Sequence, residues 1–499
     1  MTYELYDYIY PATLLADFYK VSHMEQYPKN TEMVYSTWTA RVSRIEGITE
    51  VVAFGFQAFV KEFLIDYFNT NFFERPLADV LYEYERVIKY TLGIESPNSN
   101  HIRALHYLGY LPLRIKAVKE GTKIPIRVPM LTIENTVPEF FWLTNYIETL
   151  FSCQVWQPIT SATIANKFRS ILDFYAERTG GDMGAVQFQG HDFSMRGMSS
   201  LESAKASGGA HLLSFVGTDS IPAILWLEQW YNANIEKQLV GTSIPATEHS
   251  VMCAYGRDEL DSYRHLVTEV YPKGFVSIVS DTWNLWDVLR NVIGKLKPEI
   301  MARDGRVVVR PDSGNPADII CGNQKADHDS DEFKGVIEIL WNIFGGTIND
   351  KGFKQLDPHI GCIYGDAISL IRCEEICQRL EAKGFASTNM VYGIGSYTYQ
   401  FNTRDTFGFA LKSTFGIFGG REKNLYKDPV TDTDHIKKSQ TGMVVVLRSV
   451  SGEIIYVDDM TPKQRESQES IDLLEDLFVD GKLVREETLA EIRARLAGI

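Results

Sequence analysis

The order of apolar and polar positions divides the chain into two textures. From about residue 185, short apolar runs recur, each stopped by Gly, Ser, Asp or Arg. They are 186–188 before Gly190-His191-Asp192-Phe193, 212–216 before Gly217-Thr218-Asp219, 275–279 before Ser280-Asp281, 307–309 before Arg310-Pro311-Asp312, 362–364 before Gly365-Asp366, and 390–392 before Gly393-Ile394-Gly395-Ser396. Short, continuous, β-branched runs predict strands buried on both faces, the habit of parallel sheets. Helical patterns lie between many of them, such as 283–293 and 369–382. Spacings of roughly 30 residues, or a multiple with an insertion, fit repeated strand–helix units. The fold class read from this is α/β, an irregular (β/α) barrel, with a doubly wound open sheet as the alternative.

On either side the pattern alternates. Residues 34–41 read as a strand ending in Arg41, and 54–68 and 77–92 as helices. Residues 113–118 and 124–128 read as a hairpin, with Pro125 and Pro129 placing its second strand at a sheet edge. Residues 138–151 return to helix, 443–447 and 453–458 form a second hairpin, and 470–496 read as an amphipathic helix. The shared texture predicts an α+β domain built from both chain ends, 1–160 with 401–499, around a barrel at 161–400.

Composition narrows the class. A chain of 499 residues is too long for one simple core. Apolar content of 44% and charged content of 23% are those of an ordinary globular protein. A net charge of -15 argues against a nucleic-acid binder or an anionic-membrane binder, and leaves phosphate ligands open, since these need only a local cluster of cations. The six cysteines show no metal-type pairing and read as reduced thiols of a cytoplasmic chain. Met1 to Tyr10 carry no basic and apolar leader, and no apolar run reaches membrane-spanning length.

Chemistry collects at the strand exits. Arg196, Arg310, Arg404 and Lys412 are cations, and Asp219, Asp281, Asp312 and Asp366 are acids. Gly365, Gly393, Gly395 and Ser396 offer backbone N–H groups to an anion. An Arg suits phosphate, and an Asp suits ribose hydroxyls or a metal ion. Together they describe a pocket for a sugar phosphate and pyrophosphate. His249 stands in Pro245-Ala246-Thr247-Glu248-His249-Ser250, just before a helical stretch, where Glu248 can orient the imidazole as a phosphoryl acceptor.

These residues resemble a known family, the nicotinamide phosphoribosyltransferases among the type II phosphoribosyltransferases. The resemblance runs over nearly the whole chain. Its most specific pieces are Asp17-Phe18-Tyr19-Lys20-Val21-Ser22-His23, His191-Asp192-Phe193-Ser194-Met195-Arg196-Gly197, Gly217-Thr218-Asp219, the His249 segment, Arg310-Pro311-Asp312-Ser313-Gly314-Asn315-Pro316, Gly365-Asp366 and Lys427-Asp428-Pro429-Val430. The resemblance implies formation of nicotinamide mononucleotide and pyrophosphate from nicotinamide and phosphoribosyl pyrophosphate. It also implies Mg²⁺ as cofactor, and ATP as a co-substrate hydrolysed through a phosphohistidine. It implies a homodimer with shared active sites, in which Phe193 and a second subunit's Tyr19 sandwich the nicotinamide ring. Asp219 is implied to accept from the carboxamide, Arg196 and Arg310 to hold pyrophosphate, and Asp312 to bind ribose hydroxyls. Gly365, Asp366, Ser396, Arg404 and Lys412 are implied to bracket the sugar phosphate. Asp281 is placed near the Mg²⁺–phosphate cluster, His249 is the phosphorylated residue, and Arg41 is a cross-subunit phosphate contact. Direct Mg²⁺ ligands are not implied. Gly361 stands where the family pattern has a cation, Ser396 where it often has a second glycine, and Phe18 where it has a small polar residue. The rival readings are the same chemistry on nicotinate, and a non-catalytic binding or signalling protein on the same fold.

Overall fold

The computed structural model describes residues 10–365, 367–427, 431 and 439–498. Asp366 and the basic stretch at 435–438 lie outside the described residues. The chain divides into two compact units, one of residues 1–163, 227–233 and 402–499, the other of 164–226 and 234–401.

The second unit is built on six parallel strands. Their order across the sheet is Gly217–Thr218, Gly190–Asp192, Met390–Ile394, Ile360–Tyr364, Asp304–Arg310 and Lys273–Val279. The two outer strands are joined through one further segment: Thr242 bridges Gly217, and Ala246 bridges Ser277, both in parallel sense. Thr242 N donates to Val216 O (2.7 Å) and Ser277 N to Pro245 O (2.8 Å), so the sheet curls round and residues 242–247 form its seam. Val307 and Val309 are fully buried, as the β-branched pattern requires, and burial of each such side chain contributes roughly 1.5–3 kcal/mol.

Four of the six strands lie where the apolar runs predict them. Two are displaced. The run 186–188 belongs to a 3₁₀ turn, Met183–Phe188, and the strand begins at Gly190. The run 212–216 follows the helix Leu201–His211, and the strand is Gly217–Thr218. The reason is close packing. A Cβ on Gly190 would stand 2.8 Å from the Phe215 ring, so the strand passes where only a glycine fits, and glycine carries no apolar signal. The Arg310–Pro316 motif also divides its labour. Asn315 accepts from Ala317 N (3.0 Å), and Pro316 opens the helix Pro316–Cys321. Pro316 therefore starts a helix here, as proline does at a first helical position.

The first unit holds a seven-stranded antiparallel sheet drawn from both chain ends. Its order is Arg421–Asn424, Ala410–Phe418, Thr31–Thr39, Pro129–Asn135, Leu113–Ala117, Glu475–Val479 and Lys482–Leu483. The hairpin partner of Leu113–Ala117 is Pro129–Asn135, not residues 124–128. Lys123–Pro125 pairs instead with Glu50–Val52. Pro129 thus opens a central strand, a position where its missing N–H costs nothing in the ladder. The 470–496 stretch is not one helix. It supplies the strand Glu475–Val479 and then the helix Leu489–Ala497, which Thr488 and Glu491 start with a reciprocal capping box. The helix Leu77–Leu92 has the predicted bounds, set by Pro76 and by Gly93 in the left-handed region (φ 70°).

Candidate active site

The second unit is hollow. A cavity of about 650 Å³ runs within its parallel sheet. Its wall uses alternate residues, as strand geometry demands: Gln189, His191 and Phe193; Phe275 and Ser277; Arg306, Val308 and Arg310. Asp219, Thr242 and Ser243 complete the end at which the strands finish.

At that end Phe193 and Asp219 face the same space. The Phe193 ring lies against Gly393, where a Cβ would stand 2.6 Å from it. Asp219 Oδ1 accepts from His191 Nε2 (2.8 Å) and from the Ser243 hydroxyl (2.6 Å). Burial pushes the Asp219 carboxyl up, but His191, Ser243 and the Arg310 charge together outweigh it and hold it below the usual carboxylate range. The carboxylate is therefore ionised at neutral pH. Behind it, the fully buried Asp192 accepts from Ser194 N (2.9 Å) and from the Ser220 hydroxyl (2.7 Å). One carboxylate thereby ties the turn carrying Phe193 to the turn carrying Asp219.

Arg310 reaches the same space. Its Nη2 donates to Thr247 O, and its Nε is buried without a hydrogen-bond partner. Burial pulls its pKa down, while Asp312, Asp219 and Asp281 raise it and Arg196 lowers it further. The Arg196 charge therefore lies within electrostatic reach of Arg310.

His249 opens the helix His249–Ala254. Its Nδ1 lies 3.2 Å from the Thr282 hydroxyl, and its Nε2 lies 3.3 Å from Asp312 Oδ1 and 4.0 Å from Asp281 Oδ1. Glu248 bonds Ser250, so the carboxylate beside the imidazole is Asp312 rather than Glu248. Asp281 Oδ2 accepts from Asp312 N (3.0 Å), Ser313 N (2.9 Å) and the Ser313 hydroxyl (2.5 Å), which fixes the strand exit. Asp281 Oδ1 is buried with no hydrogen-bond partner and faces His249. Ligand atoms of His249, Asp281 and Asp312 lie within 4.8 Å of one another. Two carboxylates with a spare buried oxygen suit a hard divalent cation. Gly365 packs on Asp312, whose Cβ would stand 3.4 Å from a Cβ placed on the glycine, and Ser396 opens the helix Ser396–Tyr399.

The remaining candidates belong to the first unit. Lys412 pairs with Thr37 across the sheet. Burial pulls its pKa down; Glu148 opposes this, and Arg41, Lys20 and Arg404 add to it, so four cations crowd one place. Arg41 Nε donates to Gly408 O (2.8 Å). Tyr19 is exposed beside them, with Lys20 Nζ 5.0 Å from its ring centroid. Lys20 itself is buried and paired with Glu148.

His191, Ser243, Ser277, Thr282 and Lys20 carry no role in the sequence reading. His191 was legible in principle, because it stands two residues before Phe193 on one strand face. Ser243 and Thr282 lie on turns whose partners are distant in sequence.

Comparison with known proteins identifies the family. A family profile described as the nicotinate phosphoribosyltransferase (NAPRTase) family matches residues 188–481, and one described as the nicotinamide phosphoribosyltransferase N-terminal domain matches 12–75. A nicotinamide phosphoribosyltransferase of Acinetobacter baylyi is 48% identical over 493 residues, 96% of each chain. One of Mycoplasma pneumoniae is 35% identical over 438 residues, 84% of this chain and 92% of that one. Two solved structures share the fold: nicotinate-nucleotide pyrophosphorylase of Pyrococcus furiosus (TM-score 0.59, 13% identity, 99% and 98% coverage) and human nicotinic acid phosphoribosyltransferase (0.52, 14%, 97% and 93%). The chain belongs to the nicotinate phosphoribosyltransferase family, and its opening residues carry the N-terminal domain of the nicotinamide phosphoribosyltransferases.

Proposed function

We infer that the protein transfers the phosphoribosyl group of phosphoribosyl pyrophosphate to nicotinamide, releasing pyrophosphate and forming nicotinamide mononucleotide for NAD biosynthesis. The observation that carries this is the ionised Asp219 beside Phe193. A carboxylate held ionised there accepts from a carboxamide N–H and repels a carboxylate, so it favours nicotinamide over nicotinate.

The ribose C1–O bond to pyrophosphate loosens first, and negative charge builds on the departing oxygens. Arg196 and Arg310 face that charge. The pyridine nitrogen of the ring stacked on Phe193 attacks C1 with its lone pair. That nitrogen has no proton to lose, so the step needs no general base. Asp312 takes the ribose hydroxyls. Asp281, whose Oδ1 is buried without a hydrogen-bond partner, and the neighbouring Asp312 would hold Mg²⁺, which would supply further positive charge near the leaving group.

His249 is the phosphoryl acceptor in this reading, with Asp312 beside Nε2 and Thr282 beside Nδ1 to orient the ring. Phosphorylation by ATP biases the site toward tight binding of substrate, a coupling free energy between two ligands. Tyr19 and Arg41 would reach the ring and the phosphates from a second copy of the chain, and Arg404 and Lys412 stand in the same group of cations as Arg41. Among the described residues, no helix is long and apolar enough to cross a membrane. We place the protein in the cytoplasm as a homodimer.

The test is incubation with phosphoribosyl pyrophosphate and Mg²⁺, with and without ATP, and with each base in turn. Nicotinamide mononucleotide and pyrophosphate should form in equal amounts. Preferential use of nicotinate establishes the rival substrate, and no nucleotide from either base makes the protein a non-catalytic binder.

A further inference from the structure

Tyr399 and His211 take no part in the steps of the transfer, yet both are polar and fully buried. Tyr399 is the last residue of the helix Ser396–Tyr399, and His211 the last residue of the helix Leu201–His211. The Tyr399 hydroxyl lies 2.7 Å from His211 Nδ1, and His211 Nε2 lies 3.0 Å from Gly217 O. A carbonyl can only accept, so Nε2 carries the proton. Burial pulls the His211 pKa down to about 4; the Asp192 charge and the Gly217 and Gly190 carbonyls oppose this, and His191 adds to it. The imidazole is therefore neutral at pH 7, so Nδ1 accepts and the Tyr399 hydroxyl donates. The ring is also held in place, stacked on Phe215 (centroids 5.2 Å apart) and edge-on to Tyr399 (5.8 Å).

The two ends of this chain of hydrogen bonds meet the two halves of the site. At one end, Ser396 opens the glycine-flanked turn assigned to phosphate and packs over Gly197, where no Cβ could stand beside the Ser396 side chain. Gly197 belongs to the turn Met195–Gly197 that carries Arg196. The same helix is tied down by Thr398 Oγ1, which donates to Ile368 O (2.7 Å), and by Gln400 Oε1, which accepts from Ser199 N (2.8 Å). At the other end, Gly217 stands two residues before Asp219. The strand Gly217–Thr218 is only two residues long, so its ladder is short, and His211 adds a bond to it from behind.

We propose that Tyr399 and His211 are positioning residues of the transfer, and that their hydrogen-bond chain fixes the separation between the phosphate turn at Ser396 and the base turn at Asp219. The proposal rests on the function inferred above. Neither side chain lines the cavity, so both act through the turns they hold. A shift between two bound reactants leaves the affinity of each intact and spoils the approach of the ring nitrogen to C1, which is felt in the rate of transfer.

The test compares the natural protein with Tyr399→Phe, which keeps the ring and deletes the hydroxyl. Single-turnover formation of mononucleotide, with whichever base the natural protein uses, should slow by about tenfold. Calorimetric Kd values for nicotinamide alone, and for inorganic pyrophosphate with Mg²⁺, should each stay within about twofold. His211→Leu should slow the transfer to a similar degree, and the double variant no further, because either change breaks the same chain. His211→Gln, whose amide donates to Gly217 O and accepts from Tyr399, should recover most of the rate. Tyr399→Phe carries the test should His211→Leu fail to fold. An unchanged rate in Tyr399→Phe, a loss matched by weaker binding of one ligand, losses that add in the double variant, or a His211→Gln as slow as His211→Leu overturns the proposal. A natural protein that forms no mononucleotide from either base refutes the function and the proposal with it, whereas product formation that Tyr399→Phe leaves untouched refutes the proposal alone.

Discussion

Replacing Asp219 with Asn isolates the charge that selects the base. The exchange keeps the side chain's shape. The new amide oxygen still accepts from His191 and Ser243, and its NH₂ turns toward the ring substituent. With Asp219, a bound nicotinate would bring two carboxylates to about 4 Å, which at an effective dielectric of about 20 costs about 4 kcal/mol. The Asp219 side chain is 44% exposed, and Arg310 lies close by. Solvent and that cation roughly halve the repulsion, leaving about 2 kcal/mol, or about 30-fold in rate ratio. Initial rates of mononucleotide formation with each base give the two kcat/KM values. Their ratio should shift toward nicotinate by about 30-fold in Asp219→Asn. A shift below about threefold would show that this carboxylate does not face the ring substituent.

Three further outcomes are expected. His249→Ala should abolish transfer of labelled terminal phosphate from ATP to the protein, and ATP should no longer lower the KM for phosphoribosyl pyrophosphate; labelling that persists moves the acceptor elsewhere. Asp192→Asn replaces an acceptor of two hydrogen bonds, so it should lower the melting temperature and raise the KM for nicotinamide more than that for phosphoribosyl pyrophosphate, at a cost of about 1–3 kcal/mol; an unaltered KM ratio refutes its role in aligning Phe193 with Asp219. Glu120 is buried, and burial, then the Glu487 charge, pushes its carboxyl up to about 7 despite hydrogen bonds from Gln57 N, Gly55 N and Tyr231. A raised acid stabilises the fold below its unfolded value near 4.5, and that contribution, about 3 kcal/mol, is lost as pH rises toward 7. Melting curves from pH 5 to 8 should show this slope in the natural protein and a flatter one in Glu120→Gln; parallel curves would refute it.

Much of the fold lay open in the pattern of apolar runs, because a strand buried on both faces has no polar side to disguise it. Residues 307–309 and 390–392 are such cases. Gly190 and Gly217 were not legible as the first residues of strands, since what places them there is the neighbour overhead. The hairpin partner of residues 113–117 was misread for a similar reason: Pro129 looked like an edge signal, and only the third dimension shows it at a strand's first position. The site residues divide the same way. Phe193, Asp219 and Arg310 stand at strand exits that the pattern located, and the structure brings them to one cavity. Ser243 and Thr282 meet their partners across turns, and no local spacing announces that.

The seam of the barrel joins more than two edges of a sheet. The stretch that bridges Gly217 and Ser277 also presents Ser243 to Asp219, offers Thr247 O to Arg310, and runs on directly into His249. A charge placed on the imidazole and a base placed beside Ser243 would therefore both pull on one short tether, fastened by a handful of backbone bonds rather than a full ladder. Lengthening that tether by a glycine should leave each pocket able to fill while making the two deaf to each other.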